Sequence, residues 1–347
     1  MTADPADLSA RLGAALDARA DLFDPRHETA FRLFNGFSEG WPNLAADLYG
    51  GTLLLHNYAP HLAEAAPALE AAGRFLQSRL PWAHTVIVKT RNAAAAAERR
   101  GTVVHGGPPD DRVREGGAPQ GDDMWYAVDP LLNRDASLYL DTRLLRQWLQ
   151  ENLRGQSALN AFAYTGSLGV AARAGGARRV LQLDRNRAFL AIGQRSYALN
   201  GLPVGRGEFR AADFWPEVSR LKRAGELFDC VIVDPPFFSA TRGGTVDLST
   251  QSHRLINKVR PLVAHNGCII AINNALFVSG GEYMRTLEGL CADGYLSIET
   301  IIPVPPDFTG YPHTRMGAWP VDPSPFNHPT KIAILRARRK DERPATP

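Results

Sequence analysis

Cysteine is scarce in this chain. The three thiols, Cys230, Cys268 and Cys291, are odd in number and scattered, so a disulfide framework is excluded, and the lack of a C-x-x-C pair argues against a zinc site. Lysine is nearly as rare, with 5 against 34 arginines. The 39 basic and 36 acidic residues leave a formal charge of only +3, which excludes a polybasic tail protein. It leaves room for a nucleic-acid enzyme whose charges cluster locally. No apolar run approaches the roughly 18 residues of a membrane span. The opening MTADPADLSARLGAALDARADLF interrupts each apolar stretch with Asp or Arg, unlike the continuous core of a signal peptide. These absences predict a reduced, cytoplasmic chain with no membrane partner and no metal. The rest is average for a globular protein, 44% hydrophobic and 22% charged, and 347 residues suffice for two domains.

The pattern changes along the chain. Residues 1–30 read as an amphipathic helix and extension ending near Pro25. From 31 to 142, turn signals such as Asn35-Gly36, Trp41-Pro42 and Gly50-Gly51 separate short apolar runs, followed by an Ala- and Leu-rich helix over 60–80 and a strand over 84–89. This predicts a small α+β domain. The stretch 101–121, with GGPPDD and REGGAPQG, reads as an exposed Gly/Pro-rich loop. From 143 to 340 strands alternate with helices: 158–163, 179–184, 207–213, 228–236 and 267–274 as strands, then two more before the end. Such alternation predicts a mostly parallel, doubly wound α/β sheet, with ligands bound beyond the carboxyl ends of its strands.

The residues at those strand ends carry the chemistry. After the first strand, AFAYTGSLGVAARAGG sets Gly166 and Gly169 in a turn before a helix, where glycine lets backbone approach a ligand. Thr165-Gly166-Ser167-Leu168-Gly169 has one glycine too few for the dinucleotide fingerprint G-x-G-x-x-G. Asp184 ends the second strand, 18 residues after Gly166, where a carboxylate accepts hydrogen bonds from both ribose hydroxyls; nicotinamide and S-adenosylmethionine (SAM) enzymes share that demand. Asp213 follows the third strand, either as partner of an adenine amine or as a helix cap. The fourth strand ends in Asp234-Pro235-Pro236-Phe237-Phe238-Ser239. Two prolines stiffen this loop, acceptors face the cleft, and Phe237 or Phe238 can stack on a planar base. All four features in order predict a SAM-dependent methyltransferase.

Over roughly residues 31–338 the sequence resembles the bacterial large-subunit (23S) rRNA methyltransferases, in which a small α/β domain precedes a class I Rossmann-like SAM domain. The matching words are NGFSEGWPNLAADLYG, YLDTR at 139–143, LNAFAYTG and DPPFFS. The resemblance implies that Asp141 and Arg143 serve the amino-acid end of the cofactor, Arg143 by pairing its carboxylate. Tyr164 and Thr165 would line the methionine pocket through their backbone, and Phe162 and Arg185 complete the cofactor set. It implies 23S rRNA or a large-subunit precursor as partner, with monomer and homodimer equally open.

That family methylates cytosine carbon 5 or guanine N7. Attack through a pyrimidine carbon needs a cysteine thiolate to add to the ring. In the cytosine enzymes it follows the fifth strand, where this chain has Asn274. DPPFFS followed by INN resembles instead the DPP-x-FS and SNN words of the guanine-N7 branch. N7 carries an in-plane lone pair, so transfer demands positioning more than proton chemistry. Asn273 and Asn274 can donate to guanine O6. Phe237 departs from that branch, and DPPF also resembles the loop of exocyclic-amine methyltransferases, so this target stays open beside cytosine carbon 5. His253, just beyond the loop, is a further base-contact candidate. Basic groups at Arg173, Arg178 and Arg179, at Arg185 and Arg187, and from Arg336 to Lys340 are candidates for phosphate contact. The Pro- and aromatic-rich stretch 306–329 reads as a lid over the target base. Two other classes remain: a nicotinamide oxidoreductase, which gives DPPFFS no role, and a non-catalytic SAM-binding assembly factor.

Overall fold

A computed structural model of the chain describes residues 5–60, 62–116, 123–317 and 319–339. These fall into two compact units, Met1–Arg143 with Pro305–Trp319, and Leu144–Val304 with Pro320–Pro347. No helix among the described residues is long and apolar enough to cross a membrane.

The first unit holds five strands, β1 (Ala30–Asn35), β2 (Leu44–Tyr49), β3 (Thr52–Asn57), β4 (Thr85–Thr90) and β5 (Thr102–Gly106), paired in that order. The helix Leu62–Arg79 makes the crossover between β3 and β4, which are parallel; the other pairs are antiparallel. A separate hairpin joins β6 (Arg112–Glu115) to β7 (Met124–Ala127). The amino-terminal helix Pro5–Ala18 is no appendage: Leu8, Leu12, Ala15 and Leu16 recur every three or four residues and enter the same core as Phe31, Leu53 and Leu76. The stretch expected to be a loop over 101–121 contains β5 and β6. All five residues of β5 are exposed, so an edge strand held by backbone bonds leaves no apolar pattern to read. Residues 117–121 of that stretch lie outside the described residues.

The second unit is a seven-stranded sheet. In chain order its strands are β8 (Ser157–Ala161), β9 (Arg179–Asp184), β10 (Phe209–Ala211), β11 (Phe228–Val233), β14 (Val263–Asn273), β15 (Leu296–Ile302) and β16 (Lys331–Ala337). The intervening β12 (Phe238–Thr241) and β13 (Gly244–Asp247) form a hairpin of their own. The spatial order is β10-β9-β8-β11-β14-β16-β15, parallel except for the two pairings of β16. Period-two alternation divides the core between the faces. Val231, Val233, Ile269 and Ala271 enter one cluster, while Cys230, Ile232, Cys268 and Ile270 enter the other. β9 and β11 flank β8 on opposite sides, so the sheet reverses direction at the carboxyl ends of β8 and β11. In an open α/β sheet that reversal opens a crevice for ligands. The expected lid 306–329 is divided: residues 305–319 belong to the first unit.

Candidate active site

The turn after β8 is bent sharply. Phe162 and Tyr164 hold φ of 59° and 52°, and Gly166 one of 77°. Left-handed backbone at two bulky residues is strained and is the kind of conformation that clusters at ligand sites. Two polar residues inside apolar strands brace it from below. Asn160 Nδ2 donates to Gln182 Oε1 at 2.8 Å, and Gln182 Nε2 donates to the Gly166 carbonyl at 3.1 Å. A Cβ on Gly169 would come within 2.1 Å of Gln182 Nε2, which fixes the glycine there. Sequence reading missed this pair, although Asn in ALNAFA and Gln in VLQLD were the signal.

Asp184 closes β9 at the edge of the same turn. Its Oδ2 accepts the Tyr164 N–H and its Oδ1 the Asn186 N–H, both at 2.8 Å. Burial raises its pKa above the ordinary value, against the lowering by these N–H bonds. Each oxygen keeps a second lone pair for a hydroxyl donor. Phe162 stacks on Phe214 with centroids 4.4 Å apart, and Thr165 is buried beside Gly166. Arg185 is exposed just beyond Asp184. Asp213 is the N-cap of the helix Phe214–Arg223, its Oδ1 accepting the Trp215 N–H at 3.0 Å. A Cβ on Gly243, at the tip of the β12–β13 hairpin, would approach that Oδ1 to 2.7 Å, so the hairpin tip lies against Asp213.

The ends of β11 and β14 are tied together. Asn274 Nδ2 donates to the Pro235 carbonyl at 3.3 Å. Asn273 is fully buried; its Nδ2 donates to the Leu248 carbonyl and its Oδ1 accepts the Ala275 N–H. Leu248 N–H in turn donates to the Phe237 carbonyl. Asn273 is therefore a brace for the loop and presents nothing to a base, contrary to the expected contact with guanine O6. Asp234 is half-buried, Pro235 buried, and Pro236 and Phe237 exposed. Phe238 is 61% exposed, and Phe277, four residues beyond Asn273, is 81% exposed with Leu276 beside it. Single-sequence reading missed these last two because an apolar pair in a loop looks like a helix start. Lys331, which opens β16, is buried with Nζ donating to the Ala275 carbonyl at 3.0 Å, and burial pushes its pKa down to about 8.

His253 is exposed on the helix Ser252–Val259. Arg143 lies in the first unit, where its Nη2 pairs with Asp307 Oδ1 at 2.6 Å, so its charge already has a carboxylate partner. Asp141 is half-buried in a single helical turn, Leu140–Thr142, of that unit. Among the described residues no group of three or more His, Cys, Asp or Glu could hold a metal ion.

Residues 31–308 match the S-adenosylmethionine-dependent methyltransferase family. Ribosomal RNA large subunit methyltransferase I of Photobacterium profundum is 28% identical over 293 residues, covering 84% of this chain and 72% of that protein. Ribosomal RNA large subunit methyltransferase K/L of Marinobacter nauticus is 34% identical over 142 residues, 40% of this chain but only 20% of its own length. In three dimensions the chain is similar to SMU.776, solved as a complex with SAH, with a TM-score of 0.80, 20% identity, and coverage of 96% of this chain and 82% of that one. That likeness shows the shared fold.

Proposed function

From the premise that the chain belongs to the S-adenosylmethionine-dependent methyltransferase family, we propose that it methylates a base of 23S rRNA, at guanine N7. The relatives named as ribosomal RNA large subunit methyltransferases support the substrate class. The bond from Asn274 to the Pro235 carbonyl, among exposed Phe237, Phe238 and Phe277, carries the reading of the target.

The cleft fits the cofactor. Asp184 keeps lone pairs for two ribose hydroxyls, the Asp213 cap leaves Oδ2 toward an adenine amine, and the strained turn 162–166 lets backbone approach closely. When bound, the cofactor supplies an electrophilic sulfonium methyl. The protein's part is then to aim a lone pair. Pro235 and Pro236 stiffen the loop, Asn274 fixes its carbonyl, Phe238 offers a stacking face, and the second Nδ2 hydrogen of Asn274 is a donor for guanine O6. N7 loses no proton on methylation, so no general base is required.

The other targets fit less well. Cytosine carbon 5 needs a thiolate, whereas Cys230 and Cys268 are buried inside strands and Cys291 ends the helix Gly280–Cys291. Methylation of an exocyclic amine relies on loop acceptors to draw out the amine lone pair, and here Asn274 takes one of the two lone pairs of the Pro235 carbonyl.

The test is mass spectrometry of nucleosides after incubating the protein and SAM with 23S rRNA from a strain lacking the gene. We expect 7-methylguanosine; 5-methylcytidine or an exocyclic N-methyl nucleoside as sole product would overturn the assignment. Phe238→Ala and Phe277→Ala should each lower kcat/KM for the RNA roughly 5- to 100-fold, the worth of one stacked base, with SAH affinity unchanged.

A further inference from the structure

The first unit contains a cavity of about 550 Å³, within the size range of small-ligand sites, which the transfer chemistry does not use. Its walls include Trp82, Trp125, His27, His84, Asp110 and Arg112. The Trp82 ring lies flat on the His27 imidazole, centroids 3.9 Å apart and planes within 6°, forming one rigid aromatic platform. The Arg112 guanidinium sits 5.2 Å from the centroid of Trp125, whose ring belongs to β7. The Gly50-Gly51 turn between β2 and β3 completes the wall. His84 N–H donates to the Gly51 carbonyl at 2.9 Å, and the Gly51 N–H donates to Asp110 Oδ2 at 2.6 Å. A Cβ at Gly51 would come within 2.5 Å of the His84 ring and push it from its position.

Two flat aromatic walls with a guanidinium at the rim match one ligand chemistry well, a planar base attached to a phosphate. Acidic neighbours make a bare anion a poor occupant: Glu28, Asp110 and Asp111 line the cavity against Arg26 and Arg112. Attraction must then come chiefly from stacking, with Arg112 taking the phosphate. We propose that this cavity binds a single unpaired RNA nucleotide, a second grip on the substrate separate from the base being methylated. This rests on the reading of RNA as substrate and names the part of the first unit that holds it.

The probe is 5′-GMP, titrated by calorimetry into the full chain saturated with SAH so that the cofactor cleft is filled. Binding in the high micromolar to millimolar range is expected, at least about tenfold weaker in Trp125→Ala and restored in Trp125→Phe. Arg112→Ala, at an exposed strand end, should weaken it as well, and inorganic phosphate alone should not compete. SAH affinity and the thermal unfolding transition, measured separately, should be equal in all variants, which shows that each remains folded. No binding of 5′-GMP, equal binding by Trp125→Ala, or displacement by inorganic phosphate would each overturn the proposal. Methyl transfer is a separate readout: 5′-GMP binding without methylation would sink the catalytic assignment and spare this one, and methylation without binding would do the reverse.

Discussion

Asp184 has to satisfy two masters at one carboxylate. Backbone N–H groups of Tyr164 and Asn186 stabilise its charge, yet burial outweighs them and raises its pKa above 3.8. A raised carboxyl pKa means that the folded state binds its proton more tightly than the unfolded one. This group therefore stabilises the fold at low pH, and that contribution is lost as pH rises from 3.8 through the raised value. In the proposed cofactor role the dependence runs the opposite way, because only the carboxylate would accept from two ribose hydroxyls. SAH affinity followed by calorimetry should thus decline on acidification before an ordinary aspartate would titrate. Asp184→Asn should bind SAH about 10- to 100-fold more weakly at pH 8, the worth of hydrogen bonds to a charged group, with a flat profile below it. An Asn variant that binds like the parent would remove Asp184 from the cofactor site. The same tension explains why Asp184 was legible in sequence: a carboxylate ending an apolar strand is conspicuous. Asn273 was misread because a polar residue at a strand end looks like a ligand contact, whereas only the fold reveals that the Leu248 carbonyl and Ala275 N–H consume it.

At the scale of elements, the central strands of the second unit are legible because each is a mostly apolar run between turn signals, whereas the β12–β13 hairpin falls in a stretch that lacks one and reads as loop. Nor are elements defined by distant partners legible. The stretch 305–317 reads as loop, yet several of its residues are anchored within the first unit. Asp307 is fully buried, with Oδ2 accepting the Arg32 N–H at 3.0 Å and Oδ1 pairing with Arg143. The Asp307 carbonyl accepts from Arg19, Phe308 lies under the Arg32 guanidinium at 4.0 Å, and Thr314 donates to Glu39 at 2.6 Å. Those partners lie 164 to 288 residues away, beyond any local pattern. Removing the buried carboxylate leaves Arg143 with an uncompensated charge. Asp307→Ala should therefore cost about 3–5 kcal/mol of stability in urea denaturation, as for one half of a buried ion pair. Asp307→Asn, which keeps an acceptor for the Arg32 N–H, should cost less. A loss in Asp307→Ala below about 1 kcal/mol would mean that the segment is not anchored by this pair.

For the molecule as a whole, the proposed RNA substrate raises the question of how a chain of formal charge +3 would grip a polyanion. Much of the arginine read as phosphate-binding is committed internally. Arg178 pairs with Asp229 at 3.1 Å, Arg179 with Glu226 at 2.8 Å, Arg336 with Glu299, and Arg173 donates to the Ala177 carbonyl. Lys340, the last residue of the third cluster, lies outside the described residues. Arg185 and Arg187 remain exposed at the mouth of the β9 turn. On the proposed function, with few phosphates neutralised, affinity would come mainly from stacking, on Phe238 and Phe277 and in the aromatic cavity of the first unit. Counterion release makes this measurable, since each neutralised phosphate of a single strand contributes about −0.7 to the slope of log K against log salt. Filter binding of a 23S rRNA fragment between low and moderate salt should give a slope of only about −2 to −3. Arg187→Gln should reduce it by about 0.7 without altering SAH affinity. A slope steeper than about −5 would overturn this balance, because it requires more neutralised phosphates than Arg185 and Arg187 can supply.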